Sequence, residues 1–329
     1  MAFDKNIPYN DLPLLPPDTN LDDPVLLKKS IKATRSLFRL NGETMLLPNP
    51  FLLTQPLITQ EALQSSEIEN IHTTVEDVFE AELFEDKALG AQKEVVNYKE
   101  ALMAGAKEVL ENGILPTKTI INLQKIIEYK KQGIRKVPGT AISNQATGER
   151  IYTPPEGYDK LLDLLSNVEN FIHDDKDDFD PLIKAVVAHY QFEAIHPFRD
   201  GNGRIGRILL VLHLMLDKML ELPILFVSEY INKNKALYYQ VLKGVTEKGE
   251  WKEYIIYMLD ALETQATITH EQIIRIKDML DDIKETIHEL KMPEKLGDLI
   301  FSYPIITITK VKEELEISRQ TASGYLKKT

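Results

Sequence analysis

A short segment at residues 195–207, IHPFRDGNGRIGR, gathers residue types that can carry out chemistry. An imidazole such as that of His196 ordinarily has a pKa of about 6.5, so it can accept a proton at neutral pH. Asp200 offers a carboxylate, the type of ligand that Mg²⁺ takes together with phosphate oxygens and water. A base beside a magnesium ligand indicates chemistry at a phosphate.

The glycines and arginines of the same segment suit an anion. Gly201 and Gly203 let the backbone adopt positive φ and turn consecutive N–H groups toward one point, which forms an anion nest. Arg204 and Arg207 are three residues apart, so they share one helix face and can both fork onto phosphate oxygens. The segment therefore predicts a site for a metal-bound phosphate.

Two apolar helices are expected to hold this segment. Residues 181–194 place apolar side chains close to a 3.6-residue period, which predicts a helix before it. Residues 205–220 are apolar nearly all round, which is typical of a buried helix. The dipole and the unpaired N–H groups at the start of that second helix also favour an anion.

Other interpretations of the segment meet contrary features. Its glycines satisfy the dinucleotide fingerprint G-x-G-x-x-G, but that fingerprint follows a strand, and a helix is predicted here. The P-loop pattern and the zinc pattern H-E-x-x-H are both absent from the sequence. His189 and His213 are predicted to be core residues on packed helix faces. A charged, Gly-rich helix connection without a ligand is the remaining alternative, and two arginines beside two glycines would be costly there.

Residues 196–207 match the Fic motif, H-x-F-x-[DE]-G-N-G-R-x-x-R, at every defined position. The chain therefore resembles the Fic family, whose members mostly transfer AMP from ATP to a hydroxyl group of a protein. The resemblance implies a mainly α fold, in which a helical bundle carries a small β-hairpin flap, an N-terminal inhibitory region and a C-terminal winged-helix-like segment. It also implies Mg²⁺ as cofactor, and a Ser, Thr or Tyr hydroxyl of a target protein, or of the chain itself, as AMP acceptor.

The resemblance assigns roles within the motif. His196 is the implied base that deprotonates the target hydroxyl, and Asp200 is the implied ligand of Mg²⁺. The implied nucleotide-binding residues of the loop are Gly201, Asn202, Gly203, Arg204 and Arg207. A related branch with A-N-K in place of G-N-G orients ATP differently and acts as a kinase, and the G-N-G of this chain argues against that branch.

A second motif lies upstream. Residues 65–70, SSEIEN, match the inhibitory pattern [ST]-x-x-x-E-[GN] that precedes the Fic motif in one class of the family, although an ordinary solvated helix face can also show this pattern. Beside an intact Fic motif it predicts that Ser65 and Glu69 belong to an inhibitory helix and that Glu69 pairs with Arg207. ATP then binds with its α-phosphate turned away from in-line attack. In some relatives this glutamate also helps water to remove the AMP, so a reverse activity stays open.

Composition is that of an ordinary globular protein. The chain has 329 residues, of which 43% are hydrophobic and 27% charged, and it has no cysteine, which excludes a disulfide framework and cysteine metal sites. A net charge of −12 disfavours binding of nucleic acid over the whole surface. The N-terminus lacks the pattern of a signal peptide and no apolar run approaches ~18 residues, so a cytoplasmic location and no membrane contact are expected.

Three regions are expected along the chain. They are an N-terminal helical region with the inhibitory helix at 1–85, a Fic catalytic core at 86–262, and a connector helix with a winged-helix-like domain at 263–329. Within the core, β-prone pieces at 139–143 and 150–153 predict a hairpin. It resembles the Fic flap, which aligns a target segment by strand addition, and a mere cap on the bundle is the alternative.

Two residues after the motif are candidates for the adenine pocket. Fic relatives often carry a similar Y-I…Y-Y segment there, which points to Tyr238 and Asn234. Aromatic core packing is the alternative explanation of the tyrosine pair.

The tail leaves the function class open. Residues 291–329 hold seven Lys and Arg against five Asp and Glu, a net charge of +2, and indicate helix, turn and helix with Ser318 as an N-cap. DNA binding needs a more basic face than that, so a protein-interaction role or a homodimer stays open beside it. The sequence thus supports an autoinhibited AMP transferase first. The alternatives are a DNA-binding or protein-interaction regulator whose Fic core senses nucleotide, and transfer of a different nucleotide or phosphoryl group.

Overall fold

The fold is mainly helical with one small hairpin, as predicted. The computed structural model describes residues 3–47, 49–83, 89–128, 130, 132–143, 147–176, 178–302 and 306–328. In these residues the elements are α1 (Pro24–Met45), α2 (Pro50–Leu53), α3 (Gln55–Ile68), α4 (Val75–Leu83), α5 (Ala91–Asn112), α6 (Thr117–Ile127), β1 (Ile142–Ser143), β2 (Arg150–Tyr152), α7 (Tyr158–Ile172), α8 (Pro181–Ile195), α9 (Asn202–Leu216), α10 (Ser228–Lys233), α11 (Lys235–Lys248), α12 (Trp251–Glu289), α13 (Lys295–Ser302), α14 (Ile308–Leu315) and α15 (Arg319–Leu326). None of the helices described is both long and apolar enough to span a bilayer.

The central pair of helices, α8 and α9, lies on either side of the motif loop. Asp180 caps α8, because its carboxylate accepts a hydrogen bond from the backbone N–H of Ile183 at 3.1 Å, and Pro181 fits the first helical position. The helix ends at His196 in the left-handed conformation, with φ 47°. α9 begins after Gly201, which has φ 82°, and its side chains are buried almost throughout. Both predicted helices are confirmed, and α9 starts three residues earlier than its apolar run.

The inhibitory region has different helix boundaries from those predicted. α3 begins at Gln55, not at Thr59, because Pro56 is accommodated in the first turn. It ends at Ile68, not near residue 82, because Asn70 adopts a left-handed conformation with φ 61°. The chain therefore turns there before α4, and α3 packs between α5 and α10.

The predicted hairpin is present at shorter bounds. β1 and β2 pair antiparallel with Ile142 opposite Tyr152, and the register shifts after that pair. Its turn residues 144–146 lie outside the described part of the chain. The Tyr152 hydroxyl donates to the carbonyl of Ala194 at 2.7 Å, and the N–H of Tyr9, in the N-terminal segment before α1, donates to the carbonyl of Thr153 at 3.0 Å. The hairpin is therefore attached to the end of α8.

The C-terminal region is continuous with the core. α12 runs unbroken across the predicted boundary at 262/263, packs along α1, and buries side chains in the main core as far as Leu280. Beyond that, Ile287 joins a second small hydrophobic cluster with α13, α14 and α15. Ser318 caps α15 by accepting from the N–H of Thr321 at 3.1 Å, as predicted. The boundary predicted at 85/86 falls outside the described residues.

Candidate active site

The motif loop is held from both sides by backbone hydrogen bonds. The Asn202 amide accepts from the N–H of Phe198 and donates to its carbonyl, both at 2.9 Å. Phe198 is buried and forms an isolated antiparallel β-bridge with Ile134, and the N–H of Arg135 donates to the carbonyl of Pro197 at 3.0 Å. The Asn202 side chain is thus committed to the loop, so a contact of this residue with phosphate has to come from its backbone.

His196 stands at the end of α8 as a neutral imidazole. Burial is the main cause that lowers its pKa to about 4, and the guanidinium of Arg135 acts in the same direction. The carboxylate of Glu69 and the backbone carbonyl of Glu193 act in the opposite direction. Within the described residues its buried Nδ1 lacks a hydrogen-bond partner of standard geometry. At pH 7 this side chain is therefore able to accept a proton.

Both motif arginines are buried, at 2% side-chain exposure, and both are paired with carboxylates from earlier helices. Arg204 Nη1 donates to Glu94 Oε2 at 2.6 Å. Arg207 Nη2 donates to Glu69 Oε1 at 3.0 Å and to the Ser65 carbonyl at 2.8 Å, and its Nε donates to Ser65 Oγ at 2.8 Å. Burying a guanidinium is costly without such partners. The two carboxylates therefore occupy the positions at which an anionic ligand could otherwise pair with the arginines.

The end of α3 places Glu69 at this site. The left-handed Asn70 ends the helix, a conformation that glycine and asparagine adopt at least cost, so the [GN] position of the pattern has a physical reason. Lys235 Nζ donates to the carbonyl of Ile68 at 2.6 Å and ties the same helix end to α11. The structure thus brings Glu69 and Ser65 to Arg207.

Two glycines keep the space open. Gly201 needs its positive φ to start α9. A Cβ at Gly203 would come within 2.3 Å of Glu69 Oε1 and 3.0 Å of Arg207 Nη1. A side chain at position 203 would therefore displace the Glu69–Arg207 pair.

Asp200 lies at the mouth of the loop. Its Oδ1 accepts from the N–H of Gly201 at 2.9 Å and lies 3.7 Å from Arg204 Nη2, and its side chain is partly exposed. The described residues contain no group of three or more acidic or histidine side chains arranged for a metal ion. Mg²⁺ needs only one or two carboxylates when phosphate oxygens and water complete its shell. Asp200 fits a magnesium ion that arrives with a nucleotide.

Of the two adenine-pocket candidates, the structure buries Tyr238 in the core, as the packing alternative predicts, and leaves Asn234 half-buried. Tyr238 is 3% exposed, and its hydroxyl lies 3.2 Å from Nε2 of His189, whose Nδ1 lies 2.9 Å from the Gly206 carbonyl. Burial lowers the pKa of His189 to about 4, so this histidine is a neutral core residue. Asn234 donates to the Tyr230 carbonyl at 2.9 Å and stabilises the break between α10 and α11.

Three further residues of the site were missed by sequence reasoning. Tyr239, not Tyr238, presents a ring with 47% exposure; its pKa is raised to about 12, mainly by burial and then by Glu69. Tyr239 follows Tyr238 directly in the helix, so the two rings point about 100° apart around the helix axis. This offset was the feature of the sequence that could have identified Tyr239. Glu193 lies one turn before His196, and burial raises its pKa to about 7. Arg135 is brought to the loop only by tertiary structure.

Fold and site together define a mainly helical protein with a loop rich in glycine and arginine between two buried helices. A model described as Fic/DOC family N-terminal matches residues 27–107, and a model described as Fic/DOC family matches residues 114–214. Together they cover more than half of the sequence. The chain belongs to the Fic/DOC family.

Relatives and solved structures agree with this assignment. The chain is 30% identical over 182 residues to a probable protein adenylyltransferase of Aquifex aeolicus, an alignment that covers 54% of this chain and 53% of the relative. It is 29% identical over 149 residues to the protein adenylyltransferase fic-1 of Caenorhabditis elegans, which covers 43% and 27%. The chain thus spans about half or less of the length of these relatives. A Fic family protein from Desulfovibrio desulfuricans shares the fold, with a TM-score of 0.63, 21% identity, and coverage of 80% of this chain and 79% of that one.

Proposed function

We propose that this chain is a protein adenylyltransferase that moves AMP from ATP to a Ser, Thr or Tyr hydroxyl of a target protein, itself included. The carrying observation is the pair of buried guanidiniums, Arg204 and Arg207, in the first two turns of α9 of an otherwise acidic protein. In addition, Arg204 Nε is buried and has no hydrogen-bond partner among the described residues. The names of the relatives support the same activity.

The first turn of α9 is the proposed phosphate site. The backbone N–H groups at 201–203 and the helix dipole favour the phosphates, and the two arginines bind the outer ones. Asp200 holds Mg²⁺, which supplies charge neutralisation at the phosphates when it is bound. Tyr239 offers an exposed ring beside this site for the adenine base.

His196 is the proposed general base. Its Nδ1 is buried, which leaves Nε2 to take the proton from the target hydroxyl. The hydroxyl oxygen then attacks the α-phosphorus, a new P–O bond forms, and the bond to the β-phosphate oxygen breaks with pyrophosphate as leaving group. Bound phosphates raise the pKa of His196 above its value in the nucleotide-free state, which makes it a better base when ATP is present.

Glu69 is the proposed inhibitory residue. Its carboxylate holds Arg207 at 3.0 Å, so this guanidinium cannot also grip the γ-phosphate. ATP bound without that contact presents its α-phosphate out of line with the incoming hydroxyl. A reverse removal of AMP, in which the same carboxylate would orient a water, stays open, and a chase of labelled protein without ATP measures it.

The hairpin is the proposed docking site for the target. The hydrogen bond from Tyr152 to Ala194 fixes it beside the end of α8, two residues before His196. An extended target segment that adds to the hairpin as a strand brings its hydroxyl side chain toward the imidazole.

The test is transfer of α-labelled ATP, with Mg²⁺, to the protein itself and to a lysate. We expect weak labelling by wild type, labelling at least about tenfold stronger by Glu69→Gly as the inhibitory pair is lost, and none by Glu69→Gly/His196→Ala. Transfer of γ-label would show a kinase and contradict the proposed ATP orientation. Nucleotide binding without transfer by any variant would favour the regulator that only senses nucleotide.

A further inference from the structure

The solvent-facing side of α1 carries a row of cations, although the chain has a net charge of −12. All are exposed, and none forms an ion pair with a described residue. Their spacing of four, three and four residues places them along one side of the helix. This basic stripe consists of Lys28, Lys32, Arg35 and Arg39.

Large apolar side chains are exposed beside the basic stripe. Ile31 is 52% exposed and Phe38 is 53% exposed, and Val25, Met45 and Leu46 extend the apolar surface toward both ends of α1. Apolar residues grouped with cations on one surface are typical of a protein contact site, and scattered single apolar residues are not.

The far half of α12 carries the complementary pattern. Its carboxylates are exposed, form no ion pair with a described residue, and have the same four-three-four spacing. This acidic stripe consists of Asp278, Asp282, Glu285 and Glu289, with Asp281 beside it. Met279 and Leu290 are exposed next to it. Two stripes on one chain therefore match in spacing and apolar content and differ in sign.

The two stripes cannot meet within one molecule. α1 and α12 run parallel, because Asp23 pairs with Lys252 at 2.8 Å near the start of α1 and Glu43 pairs with Lys277 at 3.0 Å near its end. The acidic stripe therefore begins where α1 ends. It lies about 30 Å further along the helix pair than the basic stripe, at 1.5 Å per residue.

We propose that two copies of this chain associate antiparallel, with the basic stripe of each α1 along the acidic stripe of the other copy's α12. A two-fold axis between the stripes makes the same contact twice, since reversing the direction places basic opposite acidic at both ends. Each stripe spans about 16 Å, so their lengths match. The shared spacing gives each cation one carboxylate to meet.

Other binding partners would explain the basic stripe but not the acidic stripe. An anionic membrane or a nucleic acid would attract the four cations, but neither accounts for an acidic stripe of the same spacing. The apolar side chains of both stripes leave water only when they face another apolar surface, which the second copy provides. A second copy is therefore the occupant that uses both stripes.

The association is expected to depend on salt. Exposed ion pairs are individually weak and are screened as ionic strength rises, so raising NaCl from 50 to 500 mM should increase the dimer dissociation constant by about tenfold or more. Sedimentation velocity of the full chain over a range of protein concentrations measures that constant. A monomer at every concentration in low salt would overturn the proposal.

Charge reversal identifies the surfaces. Lys32→Glu/Arg35→Glu places two acidic residues at the centre of the basic stripe, where they face the carboxylates of the other copy. Asp282→Lys/Glu285→Lys likewise places two basic residues at the centre of the acidic stripe, so each variant alone should be monomeric. Mixed in equal amounts, the two variants regain opposite charges at both contacts and should form a heterodimer. No contact of the site at α8 and α9 is changed, so this result is independent of whether AMP transfer occurs.

The matched control is Lys107→Glu/Lys118→Glu, which reverses two exposed cations outside both stripes and should leave the dimer intact. Thermal melting verifies that every variant is folded. A dimer that survives reversal of either stripe would contradict the proposal. A monomer that binds anionic vesicles through the α1 cations would assign that surface to a membrane instead and would also overturn it.

Discussion

At the scale of single residues, Arg135 connects the flap, the motif loop and the base. Its Nε donates to the His196 carbonyl at 2.9 Å and its Nη2 donates to the carbonyls of Ile195, at 3.3 Å, and Pro155. A cation at the carbonyl end of a helix is favourable, so it also stabilises the end of α8. The same charge lowers the pKa of His196.

Arg135→Gln should shift the pH dependence of label transfer in the Glu69→Gly background. Removing the guanidinium removes a cause that lowers the pKa of His196, so the pKa rises. A base must be deprotonated to act, so the acid limb of the rate profile should move to higher pH. Arg135→Lys keeps the positive charge and is the control, so its acid limb should stay in place. A purely structural effect of Arg135→Gln would lower the rate at every pH without moving the acid limb.

At the scale of elements, the end of α3 decides where the inhibitory carboxylate stands. Glu69 is the residue directly after α3, Asn70 reverses the chain with φ 61°, and the N–H of Ile71 donates back to the Ser66 carbonyl at 3.0 Å. This is a helix ending of the Schellman type, which needs a residue that tolerates positive φ. The geometry of one turn therefore sets the Glu69–Arg207 contact.

Asn70→Val should destabilise the end of α3 and weaken inhibition by Glu69. A β-branched residue is strained at positive φ, so we expect a loss of about 1–2 kcal/mol in stability and stronger self-labelling than wild type. Asn70→Gly keeps the conformation and should behave like wild type in both assays. Urea unfolding and α-label transfer provide the measurements, and equal labelling by the two variants would contradict the link between helix end and inhibition.

At the scale of the whole molecule, the helical body holds the carboxyl groups of Glu61 and Glu193 away from solvent. Burial raises the pKa of Glu61 to about 7, although it accepts hydrogen bonds from the Ser228 hydroxyl at 2.5 Å and from the Tyr98 hydroxyl at 3.2 Å. Burial raises the pKa of Glu193 to about 7 as well. A carboxyl whose folded pKa lies above its unfolded value of 4.5 stabilises the fold fully below pH 4.5. That contribution is lost as the pH rises toward 7.

Glu61→Gln should remove its share of this pH dependence. Between pH 4.5 and 7.5 we expect the free energy of unfolding of wild type to fall by about 3 kcal/mol relative to the Gln variant, as 2.5 pKa units imply. Urea unfolding of both proteins at the two pH values gives the difference. A constant difference across that range would show that the pKa of Glu61 in the folded protein stays at its unfolded value of 4.5.

The sequence by itself determined the helical class, the helices around the motif, the hairpin, and the chemical character of residues 196–207, because these follow from local periodicity, turn residues and a motif of fixed spacing. Tertiary structure decided what local patterns do not contain. It brought Arg135 to the loop from a distant segment, gave the exposed face to Tyr239 and the core to Tyr238, and paired Glu94 with Arg204. Those outcomes depend on which helix faces pack together. Only contacts between residues that are far apart in the sequence determine that packing.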